Sequence, residues 1–481
     1  MKPRHVHFVA IAGTGMGSLA GLLKARGVEV TGSDENVYPP MSTELARWGI
    51  PVAQGFSAEH VLGRRPDLVV IGNAVRPSNP EARAVIESGI PYRSFPDALY
   101  ELAMAEKHSV VVAGTHGKTT TTSLLAWLLA ATGRDPSLLV GGIAANFDGS
   151  FRIGEGAHFV VEGDEYDTAF FDKTPKFLHY GARTLLLTSV EFDHADIYRD
   201  LDHVKQAFRT LVARLPADGT LVAATGHPGV RDVVEKAPCR LVPYGVGEPH
   251  APGWAADSLE VTPEGTRFRV VRDGKRAAEA FLPMHGRHNV ENALGALAVA
   301  ESLGVLLADA VAALQGFLGV KRRQEIRGEV NGVTVIDDFA HHPTAVRETV
   351  AGLRARYPGR RLISIFEPRT NTSRRRVFQE EYARAFEGSD RVVVARVADT
   401  PIYSATGEVT ERFSADDLVR DLRARGLDAE ALDGADAIVA ELARGARPGD
   451  VLLVMSNGAF GNIWEKLLAR LGGAPAATAA P

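Results

Sequence analysis

A single cysteine, Cys239, stands in 481 residues. One thiol excludes an internal disulfide and a cysteine zinc cluster, and it suits a reducing cytoplasm, where the protein is expected. Excess positive charge is also missing, since 54 Lys and Arg against 59 Asp and Glu leave a formal net charge of −5. Without a basic field there is no footprint for a nucleic-acid backbone, although Lys321-Arg322-Arg323 and Arg374-Arg375-Arg376 can serve small anions. No apolar run reaches the roughly 20 residues that a membrane helix needs, and Lys2 and Arg4 lead into a strand-length run rather than a signal-like one. Neither nucleic acid nor a membrane is expected as a partner. No repeat of solenoid period occurs. Residues 472–481 hold too little apolar bulk to bury, so a disordered tail is expected.

The length allows about three domains of roughly 150 residues. Short apolar runs alternate with helix-period segments throughout, the pattern of an α/β chain with parallel sheets and crossover helices. A first Rossmann-like domain is expected over residues 1–107, with strands at Phe8–Ile11, Val28–Val30 and Leu68–Ile71. A nucleotide domain over 108–319 has strands at His158–Glu162, Thr184–Thr188 and Leu221–Ala224 and a helix from Asn289 to Leu303. A third domain over 320–471 has strands at Val333–Ile336, Leu362–Phe366, Arg391–Val394 and Val451–Met455.

The strongest chemical signal is Val110-Val111-Val112-Ala113-Gly114-Thr115-His116-Gly117-Lys118-Thr119-Thr120, a strand running through a Gly-Lys-Thr turn into an apolar helix pattern. Backbone N–H groups at such a turn cradle phosphates, Lys118 reaches the outer phosphates and Thr119 can hold Mg²⁺. ATP use is implied. The usual phosphate loop has a glycine where Val112 stands, so this turn is expected to be tighter.

Further candidates lie at other strand ends. Glu162, in Val160-Val161-Glu162-Gly163-Asp164-Glu165, and His194, after Glu191-Phe192-Asp193, are positioned to meet a hard cation beside the phosphates. Any one of Asp164, Glu165, Glu191 and Asp193 reads by itself as a solvated loop charge. His288, Asn289 and Asn292 open a helix and place two amides three residues apart on one face, able to read an adenine edge, although Asn289 as a simple N-cap is equally open. Asp337-Asp338-Phe339-Ala340-His341-His342 ends a third-domain strand and offers contacts to ribose and phosphate; zinc is the poorer reading. Gly13-Thr14-Gly15-Met16-Gly17, with Asp34 at the end of the next strand, can bind a diphosphate and a ribose. That loop alone also fits a nicotinamide-dependent oxidoreductase, a reading that leaves Gly117-Lys118-Thr119 idle.

In this order the motifs resemble the Mur ligase family, ATP-dependent amide-bond-forming enzymes of bacterial cell-wall synthesis. The match runs through Gly114 to Thr120, Asp193-His194, His288-Asn289-x-x-Asn292, Arg323 and Asp338-Phe339-Ala340-His341. The resemblance implies three domains: a UDP-sugar on the Gly13–Gly17 loop, MgATP on the central domain and an amine substrate on the third. It implies ATP contacts from Gly114, Thr115, His116, Gly117, Lys118, Thr119, Thr120, His288, Asn289, Asn292, Arg323, Asp338 and His341. Metal ligands would come from Thr119, Glu162 and His194, and catalysis from Lys118, His194 and Arg323, with His194 open as either metal ligand or amine base. The first-domain loop and the Asp338–Pro343 stretch look like members that use UDP-N-acetylmuramate.

Glu162–Phe171, Phe366–Thr372 and Ser456–Gly461 look like those that add the murein tripeptide L-alanyl-γ-D-glutamyl-meso-diaminopimelate rather than L-alanine. Arg369, Asn371 and Thr372 are then the acceptor candidates, and a monomer is expected. Several family members carry a carbamylated lysine as a metal ligand; here the equivalent position falls near Arg209, with Lys205 close by, so a metal held without a carbamate is implied.

Overall fold

The computed structural model describes residues 3–38, 41–247, 252–397, 402–404 and 407–473. Three separate sheets organise the chain. The first is a five-stranded parallel sheet in the order Val52–Gln54, Glu29–Asp34, His5–Val9, Leu68–Ile71, Tyr92–Ser94. The strand His5–Val9 at its centre is buried from Val6 to Val9 and covered on both faces, as a near-continuous apolar run requires. The crossover after it is the helix Thr14–Ala25, whose small residues allow close approach. A Cβ on Gly17 would meet Met41 Sδ at 2.2 Å, and one on Gly21 would meet Trp48 and Phe151 at 2.7 Å.

The central sheet has ten strands. Its parallel core places His108–Ala113 between Thr184–Leu187 and His158–Gly163, so the segments after Ala113, Leu187 and Gly163 emerge side by side at one edge. Ligands of α/β sheets gather at that carboxyl edge. One flank continues into three strands, Trp254–Thr262, Gly265–Arg272 and Lys275–Leu282, joined antiparallel. The all-parallel expectation misses these strands, because their alternating polar residues face solvent and give no apolar run. The third sheet has six strands, five of them parallel, with Glu325–Val330 antiparallel at one edge.

Contacts tie the sheets together. His179 of the central segment joins its Nδ1 to Asp97 Oδ1 of the first at 2.8 Å, while its Nε2 meets Thr174 Oγ1 at 2.8 Å. Nδ1 thus crosses the seam, while Nε2 anchors the ring within the central segment. Gly352, in the third-domain helix Pro343–Arg356, lies so close to Gly286 that a Cβ on it would stand 3.1 Å from the Gly286 Cα. Among the described residues no helix is long and apolar enough to cross a membrane. Cys239 is a free, partly buried thiol, Gly472 and Gly473 follow the last helix, and residues 474–481 of the expected tail lie outside the described residues.

Candidate active site

The strand His108–Ala113 runs on past Val112, and the turn is made instead by Gly114 at φ +139° and Gly117 at φ +78°. Neither position tolerates a side chain: a Cβ on Gly114 would sit 2.2 Å from Thr188 Oγ1, and one on Gly117 2.5 Å from Asn292 Oδ1. The missing glycine at Val112 is thus replaced by a shorter loop. Gly117 leads into the helix Lys118–Ala131, whose N-terminus has no side-chain cap. Its first N–H groups and the positive end of its dipole are left for an anion.

Lys118 is only 9% exposed and is held at rest by Gly114 O at 2.8 Å, Thr115 O at 3.3 Å and Glu165 Oε2 at 2.8 Å. Glu165 is not a solvated loop charge as its sequence position suggests. It is 2% exposed, and its other oxygen lies 3.0 Å from His194 Nε2. Burial by itself would push the Glu165 carboxyl up, yet the charges of Lys118 and His194 hold it at about 2. Burial would likewise lower His194, but Asp193 and Glu165 push it up to about 9. Lys118, also buried, is held in its charged form by Glu165 and Asp164. Tyr166 packs its ring against His194 with centroids 4.2 Å apart, and the Tyr198 hydroxyl donates to the Glu165 carbonyl at 2.7 Å. The solvated-charge reading fails for Asp193 too, which is 5% exposed.

On the other side of the loop, Thr119 Oγ1 donates to Glu162 Oε1 at 2.8 Å, and Glu162 Oε2 accepts from Gly141 N at 2.7 Å. Burial and the neighbouring Asp164 raise the Glu162 carboxyl. A hydroxyl and a carboxylate held side by side next to the phosphate loop are the hard oxygen donors that Mg²⁺ takes. Arg323 reaches the same place from the connection to the third sheet, its Nη2 3.2 Å from Thr119 Oγ1 and its guanidinium 4.7 Å over the Phe339 ring. That connection is pinned to the central sheet, with Ala145 N donating to Gly319 O and Lys321 N to Ile143 O. Lys205 is engaged elsewhere, paired to Asp232 at 2.7 Å.

The third domain meets the phosphate loop around Glu191. Its Oε2 lies 3.3 Å from His116 Nε2 and accepts from Thr344 Oγ1 at 2.7 Å, and His116 packs on His342 with centroids 4.6 Å apart. The donor atoms of His116, Glu191 and His342 fall within 4.8 Å of one another. Both nitrogens of His342 are occupied, however: Nδ1 accepts from Thr344 N and Nε2 meets Phe192 O. This argues for a packed junction rather than a zinc centre. His341 Nε2 stands 3.8 Å from Asp193. Asp338 is buried with both oxygens on backbone amides, Gln324 N and Ala340 N at 2.8 Å each, so it fixes the residue next to Arg323.

Asn289 is not the N-cap of its helix. The helix Arg287–Ser302 is capped by Gly286, and Asn289 Nδ2 turns back to His285 O at 2.8 Å. Asn292 lies against Gly117, and His288 beside them has a buried Nδ1 without a partner. In the first domain Gly13 is the uncapped start of its helix, with Gly13 and Thr14 exposed; Gly15 backs onto Phe95, and Met16 and Gly17 point inward. Asp34 uses both oxygens on backbone, accepting from Ala12 N at 2.8 Å and Asn36 N at 3.0 Å. Of the three acceptor candidates, Thr372 accepts from Ala195 N at 3.0 Å and Asn371 donates to Asp196 at 3.3 Å, so both face the central domain. Arg369 alone is exposed, without a hydrogen bond or ion pair among the described residues.

An uncapped helix behind a glycine turn, a buried lysine, paired oxygens for a hard cation and an arginine from a neighbouring domain define a phosphate-handling enzyme with three α/β domains. Residues 5–107 match the Mur ligase family catalytic domain, 112–300 the Mur ligase middle domain and 322–458 the Mur ligase glutamate ligase domain, and the chain belongs to the Mur ligase family of amide-bond-forming ligases. It is 42% identical to the UDP-N-acetylmuramate–L-alanyl-γ-D-glutamyl-meso-2,6-diaminoheptandioate ligase of Escherichia coli K12, over 96% of this chain and 97% of that protein. It is 36% identical to the UDP-N-acetylmuramate–L-alanine ligase of Sorangium cellulosum, over 98% and 97%. Among solved structures, a murein peptide ligase from Psychrobacter arcticus superposes with a TM-score of 0.73 at 34% identity, covering 98% of this chain and all of that one.

Proposed function

We propose that this chain is an ATP-dependent ligase that joins the lactyl carboxylate of UDP-N-acetylmuramate to the amine of L-alanyl-γ-D-glutamyl-meso-diaminopimelate. The observation that carries the geometry is the meeting of Arg323 and Thr119, which brings the connection to the third domain onto the phosphate loop. The substrate pair is supported by the likeness to the Escherichia coli ligase over nearly the whole chain.

A carboxylate does not condense with an amine at neutral pH, so the γ-phosphate first converts it to an acyl phosphate, and the amine then expels phosphate. Two anions must meet in the first step, which makes charge neutralisation the main task. Lys118 serves the outer phosphates after leaving the Gly114 and Thr115 carbonyls, the uncapped N–H groups of the helix Lys118–Ala131 receive the inner ones, and Arg323 adds charge from the third-domain side. Thr119 and Glu162 would hold Mg²⁺, which supplies Lewis-acid neutralisation of the phosphates, while His194, on the Lys118 side of the loop and bonded to Glu165, would join a metal only after giving up its proton and that partner. His288, Asn289 and Asn292 flank the loop where an adenine would lie, and the Gly13 helix start takes the donor diphosphate. In this reading the divisions fall near 107/108 and 319/320, and the enzyme works in the cytoplasm as a monomer.

Incubation with ATP, UDP-N-acetylmuramate and either tripeptide or L-alanine, followed by mass analysis of the product, tests the proposal. Preference for the tripeptide supports it. Preference for L-alanine replaces it with the L-alanine-adding activity, and phosphate release indifferent to both substrates removes ligase chemistry altogether.

A further inference from the structure

Gly458 follows the last strand of the third sheet, Val451–Met455, and is buried. Arg322 Nη2 donates to Ser456 O at 2.7 Å and to Gly458 O at 2.8 Å, and Gly458 N donates to Ser456 Oγ at 3.0 Å. The turn is therefore fixed on one side. On the other side lies Arg369: a Cβ built on Gly458 would stand 1.6 Å from Arg369 Nη1, 2.5 Å from its Cζ and 2.7 Å from its Cδ. The arginine stem and guanidinium lie along the bare Cα of Gly458, in space that any other residue would fill.

From this contact we infer that Gly458 is a specificity-determining residue: its missing side chain is the seat that holds the Arg369 guanidinium in place for a carboxylate of the acceptor peptide. This rests on the proposed tripeptide reading. A free arginine spreads over many rotamers, and ordering it on binding would cost much of what a charged hydrogen bond returns. Seated on backbone, Arg369 is ordered in advance. Its guanidinium and that of Arg322 flank one glycine, and Arg322 is matched by Asp337 at 3.3 Å while Arg369 has no acid of its own among the described residues. The unmatched cation points to an anionic ligand group. A one-residue acceptor offers a single carboxylate close to its amine, whereas a peptide with several carboxylates can reach Arg369 as well.

Gly458 has no positive φ, so alanine fits its backbone. The atoms in the way run from Cδ to Nη1 of a flexible, exposed side chain, which can swing aside without disturbing the core. Gly458→Ala in the full chain is therefore expected to melt like the wild type while the tripeptide KM rises about tenfold or more, the scale of one lost hydrogen bond to a charged group. The KM values for ATP and UDP-N-acetylmuramate should not move. Arg369→Ala should show the same rise, and the Gly458→Ala/Arg369→Ala double variant should show no further rise, since the seat has no occupant left. If Gly458→Ala does cost stability, the double variant should regain it, because the clashing atoms are gone. An unchanged tripeptide KM in Gly458→Ala overturns the seat and leaves the proposed function intact, and so does a full additive loss in the double variant. A wild type that does not ligate tripeptide overturns both.

Discussion

Removing the Glu165 carboxylate should loosen the phosphate loop before any substrate is present. In Glu165→Ala the Lys118 ammonium keeps the Gly114 and Thr115 carbonyls but loses its counter-charge 2.8 Å away, inside a site where the two side chains are 10% and 2% exposed. Breaking a buried pair by taking one partner costs about 3–5 kcal/mol, because the other charge stays buried and unmatched. The two remaining carbonyls place this case near the lower end, about 3 kcal/mol. The assay is amide hydrogen exchange of the helix Lys118–Ala131 in nucleotide-free protein, where local opening reports the loop directly. A loss of about 3 kcal/mol corresponds to roughly hundredfold faster exchange where opening limits it. Replacing Lys118 by Met in the same variant removes the stranded charge and should restore much of the protection. If helix exchange and melting in Glu165→Ala match the wild type, the electrostatic account of this triad is wrong.

The same groups give a pH dependence in magnesium-free protein. His194 is raised from 6.5 to about 9 in the fold, so its share of stability is complete below pH 6.5 and is lost as pH rises through 9. Glu165 is lowered from 4.5 to about 2, so its share holds above 4.5 and is lost as pH falls through 2. Melting temperature against pH should fall on the alkaline side, and His194→Gln should flatten that fall. Lys118→Ala should abolish ligation while UDP-N-acetylmuramate binding, measured calorimetrically, stays near normal. Glu162→Ala should shift the magnesium titration of activity to higher concentrations, and an unchanged titration removes Glu162 from the metal site.

The three sheets were largely legible because parallel strands buried on both faces read as continuous apolar runs, and the runs at Leu68–Ile71, Leu362–Phe366 and Val451–Met455 coincide with strands. The flanking strands Trp254–Thr262, Gly265–Arg272 and Lys275–Leu282 were not, since one solvated face breaks the run. Acidic residues were the harder problem. Glu165 and Glu191 look alike in one dimension, and only the return of distant segments to one sheet edge shows that the first is sealed between Lys118 and His194. Asp34 and Asp338 end strands, yet each turns both oxygens to backbone amides, one two residues on and the other on a more distant loop, bonding that competes with any ligand role a motif implies. The acceptor candidates Thr372 and Asn371 also bond residues 195 and 196, a contact between segments about 175 residues apart that no local pattern encodes.

The connection through residues 316–324 bears on where the chain can be divided. It lies against Ile143, Ala145 and Asn146 of the central segment, then delivers Arg323 to Thr119 and hands Gln324 N to Asp338. A fragment ending before Val320 loses the guanidinium beside the phosphate loop. One that continues past Gln324 strands the amide that Asp338 was holding. A cut between Arg323 and Gln324 keeps both of these but takes Arg322 from Ser456 and Gly458, so every division in this stretch strips a contact from one half or the other.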